Sequence, residues 1–131
     1  MGNEGEAVLG NIVRKLYEHT MQVKVVQYVR TFYPEVLILS IPNGSGTTAR
    51  NRLALYAEGL LAGVPDLFIP EARKGFHGLW IEMKIKEGVE SPAQKRVRNN
   101  LEDNGYLCYV ARSEQTAINI IEAYLEQEEI R

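Results

Sequence analysis

The chain has 131 residues, 45% hydrophobic and 24% charged, enough to bury one core without disulfides or structural metals, and a single domain spanning 1–131 is predicted. No run approaches the roughly 20 apolar residues of a membrane span, and the acidic, glycine-containing N-terminus does not read as a secretory signal, so a cytoplasmic protein is expected. The net charge of −2 by itself favours no polyanionic partner, and the lone Cys108 sets aside thiol catalysis and a cysteine-ligated zinc.

Glu6 to about Phe32 is predicted helical, because Val8, Ile12 and Leu16 and then Val23, Val26 and Val29 recur at three- and four-residue spacing before Pro34 stops the run. Glu18 lies on this helix four residues before Gln22, where its plain reading is a solvated acid. Val36 to Ile41 is a nearly continuous apolar run with β-branched residues, which predicts a strand covered on both faces at the centre of the sheet. Pro42 to Thr48 is the least regular stretch, a loop expected near a cleft. The spacing of Leu53, Tyr56 and Leu60 predicts a short helix from Ala49 to Leu61.

The most informative stretch follows. Gly63-Val64-Pro65 fixes the entry of the chain into Asp66 and the apolar run Leu67-Phe68-Ile69. Sixteen positions on, Glu82 sits in Leu79-Trp80-Ile81-Glu82-Met83-Lys84-Ile85-Lys86. Two antiparallel strands joined by a turn at Gly75 to Gly78 bring the two acids side by side. Side chains alternate along a strand, so Leu79, Ile81, Met83 and Ile85 form a core face, while Trp80, Glu82, Lys84 and Lys86 share the other. Asp66 and Glu82 then offer the oxygen ligands that a Mg2+ or Mn2+ ion accepts together with substrate phosphate. Lys84 beside them suits the orientation of a water or the neutralisation of developing charge. An isolated Glu-x-Lys is more commonly a surface ion pair; the surrounding pattern is what points to phosphodiester chemistry.

Ser91-Pro92-Ala93-Gln94 is a helix start, with Ser as N-cap, Pro in the first turn and Gln completing a capping box, while Asn104-Gly105 closes the helix. Tyr106 to Val110 reads as a strand holding Cys108 as a small core residue, and Ala117 to Leu125 as a helix with Ile118, Ile121 and Leu125 on one face, which either covers the domain's own sheet, the preferred reading, or serves a dimer interface. His19 and His77 are too far apart for a zinc motif, and His77 is expected in a turn near Trp80. Charge is unevenly spread: residues 50–98 hold nine basic residues against six acids, and the tail from Ser113 holds five Glu and one Arg. A basic rim of this size is sufficient for phosphate contacts.

Glu18-x-x-x-Gln22, Ile41-Pro42-Asn43-Gly44, Glu58-Gly59, Gly63-Val64-Pro65-Asp66-Leu67, His77 to Lys84, Ser91-Pro92-x-Gln94 and Gly105-Tyr106, in this order, resemble the virus-type replication-repair nuclease domain, a branch of the PD-(D/E)XK nuclease superfamily. The resemblance runs from about Glu18 to Tyr124. It implies an α/β, restriction-endonuclease-like core with a central mixed β-sheet flanked by helices. It further implies metal-dependent cleavage of DNA, often branched, by a homodimer acting like a Holliday junction resolvase. On this reading Asp66, Glu82, the Met83 carbonyl and Glu18 serve a Mg2+ or Mn2+ ion, Lys84 and Gln94 complete the catalytic set, and Asn43, Lys86, Lys95, Arg96 and Arg98 meet DNA. Gln94 is then claimed twice, by the helix cap and by the active site, and both roles cannot be full-time for one side chain. The alternatives are a sequence-specific restriction-type nuclease, for which little chain remains to build a recognition insert, and a DNA-binding module without catalysis.

Overall fold

The structure, a computed structural model, describes residues 4–42 and 48–126; the expected DNA contact Asn43 lies outside the described residues. Its elements run α1 (Glu4–Phe32), β1 (Leu39–Ser40), α2 (Ala49–Ala57), β2 (Leu67–Ile69), β3 (Leu79–Met83), α3 (Pro92–Asp103), β4 (Leu107–Ala111) and α4 (Glu114–Glu126). The strands form one mixed sheet in the order β1-β2-β3-β4, antiparallel at the first two pairings and parallel between β3 and β4. A parallel pair needs a crossover, and α3 supplies it. No helix among the described residues is long and apolar enough to cross a membrane.

Alternation along β3 decides which helices go where. Leu79, Ile81 and Met83 are buried, while Trp80 and Glu82 are half-buried on the opposite face. The first set joins Leu67, Ile69, Ala111 and residues from α1 and α4 in the main core, where Val25, Val29, Ala117 and Ile121 are fully enclosed. Buried apolar area of this kind is the chief favourable term in folding. Polar links then fix the two helices to each other, since Tyr28 donates to Glu122 and Tyr33 to Glu126. The predicted C-terminal helix therefore does cover the domain's own sheet. On the other face Phe68 and Trp80 stack with ring centroids 4.1 Å apart and Tyr106 meets them edge-on, under α3.

The structure departs from three expectations. The Val36–Ile41 run is not a central, doubly covered strand: only Leu39 and Ser40 pair, at the edge of the sheet, and burial alternates from buried Val36 and Ile38 to Leu37 and Leu39, which are 55% and 40% exposed. Continuous apolarity hid a one-sided strand, because α1 covers a single face of it. The predicted helix after Thr48 forms with that threonine as N-cap but ends at Ala57, and Leu53 and Tyr56 point outward. The tight turn lies at Lys74-Gly75, between the mutually bonded Arg73 and Phe76, and His77 packs on Tyr106 rather than on Trp80.

Gly63 docks the loop before β2 onto the first turn of α3. Its φ is +94°, and a Cβ built there would lie 2.6 Å from both the backbone carbon and the oxygen of Ala93. Only glycine permits both the left-handed conformation and this approach. Gly63→Ala is expected to destabilise the fold by about 2–4 kcal/mol, read as a lower urea midpoint with an unchanged slope. An unchanged midpoint would show that the loop docks by other means.

Candidate active site

The ladder between β2 and β3 pairs Leu67 with Ile81, Phe68 with Trp80 and Ile69 with Leu79. One step beyond its end, the same register sets Asp66 opposite Glu82, on the face occupied by α3. The pair closes through a short network. Asp66 Oδ2 accepts from the Met83 backbone N–H at 2.7 Å, and Glu82 Oε1 accepts from Gln94 Nε2 at 2.9 Å. Asp66 and Glu82 also act on each other electrostatically across the two strands.

Gln94 reconciles the two roles that were set against each other. Its Oε1 accepts from the Ser91 backbone N–H at 2.8 Å, while its own backbone N–H donates to Ser91 Oγ at 3.1 Å, which completes the capping box. Its amide nitrogen remains free to hold Glu82. A side-chain amide has an acceptor end and a donor end, so one glutamine fills both posts at once. The expectation that the roles exclude each other is wrong for this reason.

Burial beside the aromatic layer disfavours charge on both acids. Asp66 is raised above the usual carboxylate range, mainly by desolvation, with the Met83 N–H, Glu82 and Lys84 opposing. Glu82 is pushed up to about 8 by desolvation and then by the Asp66 charge, with Lys84 opposing and Glu18 adding to the rise. The metal-free pair thus holds one proton at neutral pH. Such a site favours a divalent cation in place of that proton, and two carboxylates are a donor set that Mg2+ or Mn2+ accepts. The residues present therefore fit the ion.

Lys84 is half-buried just past β3, its backbone N–H bonded to Ala111 O at 3.0 Å. Its charge acts on Asp66, Glu82 and Glu90 together. The turn after it is held by a residue that the sequence reading missed. Arg112 Nη1 donates to the carbonyls of Ile85, Lys86 and Gly88 at 3.1, 3.3 and 2.5 Å. Gly88 in turn lies against the Lys84 stem, where a Cβ would sit 3.1 Å from Lys84 Cδ. The signal was present in principle: β3 and β4 are parallel, so a cation just after β4 stands beside whatever follows β3.

The remaining candidates divide. Glu18 is half-buried and reaches Glu82 through its charge, but among the described residues no three acid, histidine or cysteine side chains converge as a metal cluster. Lys86, Lys95 and Arg96 are exposed. Arg98, expected to face DNA, is half-buried and paired with two acids of its own chain. Its Nε and Nη2 grip the two Glu90 oxygens at 2.8 and 3.0 Å, and Nη1 meets Glu102 at 3.0 Å. This fork ties the loop before α3 to the helix, and it holds the Glu90 carboxyl below its ordinary range. Burial raises the Cys108 thiol to about 11, in keeping with an unreactive packing residue.

A folded Glu82 near 8 and an unfolded glutamate near 4.5 give a definite sign to pH dependence. Between these values the native state keeps a proton that the unfolded chain has lost, so stability falls as pH rises through the window. Asp66 acts in the same direction. In EDTA, thermal unfolding is expected to shift down by several degrees from pH 5 to pH 8.5, and Glu82→Gln to remove most of that shift. Equal pH profiles for the two proteins would contradict the buried-pair reading.

Comparison with known proteins agrees with this fold. The model of the VRR-NUC domain family matches residues 4–115. A search of the curated proteins finds no match. Among solved structures, the chain is similar to a VRR_NUC domain protein with a TM-score of 0.74 and 26% identity, covering 86% of this chain and 91% of that one. The mixed α/β architecture is shared with that neighbour, and the family generally uses divalent metal ions. With its sheet, its opposed acids and this match over most of its length, the chain belongs to the VRR-NUC domain family, the virus-type replication-repair nucleases of the PD-(D/E)XK type.

Proposed function

We propose that the chain is a single-domain, cytoplasmic, metal-dependent endonuclease that hydrolyses phosphodiester bonds of branched DNA in the manner of a junction resolvase. The observation that carries this reading is the cross-strand apposition of Asp66 and Glu82 with Lys84 beside them and Gln94 behind. A Mg2+ or Mn2+ ion held by the two carboxylates and the Met83 carbonyl would polarise the scissile phosphate and acidify a water. Gln94 fixes which way Glu82 points. Lys84 neutralises charge on the phosphate as water adds to phosphorus and the strand's P–O bond breaks, leaving a phosphate monoester and a hydroxyl. Glu18, set back from the pair, positions a water from the α1 side. Exposed Lys86, Lys95 and Arg96, with Asn43, offer contacts to the DNA backbone.

Symmetric cutting of a four-way junction requires two active sites, which a two-fold homodimer supplies. The first half of α1 presents a surface for it. Leu9, Ile12, Leu16 and Tyr17 are 61%, 50%, 60% and 63% exposed. By helix geometry Leu9, Ile12 and Leu16 lie on the side away from Val25 and Val29, with Tyr17 on the flank, so this domain leaves them uncovered. A contiguous apolar stripe of this kind marks an interaction surface.

In Mn2+ or Mg2+, the purified protein is expected to cut labelled branched DNA, and EDTA to stop it. Asp66→Ala and Lys84→Ala should each lower the rate by about a thousandfold or more while the protein stays folded and still binds DNA. Activity within tenfold of the parent in either variant would overturn the assignment. Ile12→Glu with Leu16→Glu should convert a dimer to a monomer in sedimentation. A monomeric parent, or an unaffected dimer, would remove the α1 stripe from consideration.

A further inference from the structure

A second feature deepens the nuclease reading and rests on it. Between α1 and the edge strand β1 runs a cleft of about 290 Å3, bordered by His19, Gln22, Gln27, Arg30 and Ser40 and floored by Val26 and Ile38. The helical residues recur at three- and four-residue steps, so they form one stripe about 16 Å long. None of its lining residues is an acid, in a chain carrying 17 Asp and Glu. Among the described residues Arg30 is in no ion pair. One end of the cleft is linked to the carboxylate pair, across the edge of the sheet, through residues next in the chain to its lining. Ser40 precedes Ile41, whose N–H bonds to the Asp66 carbonyl at 2.9 Å, and His19 follows Glu18, whose charge Glu82 feels.

We infer that this cleft carries a DNA strand away from the carboxylate pair, its phosphates taking hydrogen bonds from the Gln22, Gln27 and Arg30 side chains while deoxyribose rests on Val26 and Ile38. Hydrogen bonds from these amides and the guanidinium to phosphate oxygens read no sequence, which suits an enzyme choosing its substrate by shape. A B-form strand advances about 3.4 Å per nucleotide, so the stripe spans about four or five of them. Only a strand that turns past the sheet edge can lie in it while its scissile phosphate sits over Asp66 and Glu82. A bend at a branch point provides that turn.

The test compares Arg30→Glu and the double variant Gln22→Ala/Gln27→Ala with the parent, and with Arg14→Glu, an exposed cation on the side of α1 away from the cleft. Binding of a fluorescent four-way junction is measured by anisotropy with Ca2+ in place of Mn2+, and turnover of bis(p-nitrophenyl) phosphate with Mn2+. Expected for Arg30→Glu are a Kd raised by about tenfold or more and a salt slope reduced by about one, with hydrolysis of the small diester unchanged. The glutamine variant should weaken binding at unchanged salt slope, and Arg14→Glu should bind as the parent does. Unchanged junction binding in both cleft variants, or an equal loss of small-diester turnover, overturns the cleft assignment and leaves the nuclease reading intact. A parent protein that hydrolyses neither DNA nor the small diester overturns the nuclease reading and the strand path together.

Discussion

Two carboxyl groups held against each other in a half-buried pocket are the constraint around which this domain is arranged. Neither acid is comfortable there. Desolvation and mutual repulsion push Glu82 to about 8. What forces them together is strand register: the ladder from Ile69–Leu79 to Leu67–Ile81 places Asp66 and Glu82 opposite one another on the next step. A slip of one residue would send Glu82 into the apolar core and Ile81 into the cleft. The buried residues of β3 thus protect the site as much as they stabilise the sheet.

The helix that crosses over the sheet does more than connect β3 to β4. Its first turn is gripped from three sides: by Gly63 against the Ala93 backbone, by the Ser91–Gln94 capping box, and by Arg98 reaching back to Glu90. Gln94 stands within that turn and touches Glu82. The loop leading into Asp66 and the group orienting Glu82 are therefore fixed to the same rigid element. Polar networks of this kind set a geometry rather than add much stability, since each link is worth only about 1 kcal/mol net. Arg112 performs a comparable service on the Lys84 side by holding the turn from Ile85 to Gly88.

Much of this was legible in the chain because it is local. Alternation in Leu79–Met83, the capping box at Ser91 and the turn-bounded separation of Asp66 from Glu82 each follow from near neighbours. What failed was what depends on the third dimension. Val36–Ile41 carries the composition of a central strand, but only the placement of α1 reveals that Leu37 and Leu39 are uncovered. Arg98 reads as a surface cation until the folded loop presents Glu90 to it. The double use of Gln94 was obscured by treating a side chain as having one partner. Arg112 and Gly88 form a relay to Lys84 that exists only once β4 lies beside β3.

The central claim is that Asp66 and Glu82 together grip one divalent cation. Calorimetric titration of the DNA-free protein with Mn2+ at pH 7.5 tests it most directly, alongside Asp66→Asn and Glu82→Gln. One ion bound per chain in the parent, and none in either variant, is the predicted outcome. No uptake by the parent, or uptake by both variants equal to the parent's, would contradict it.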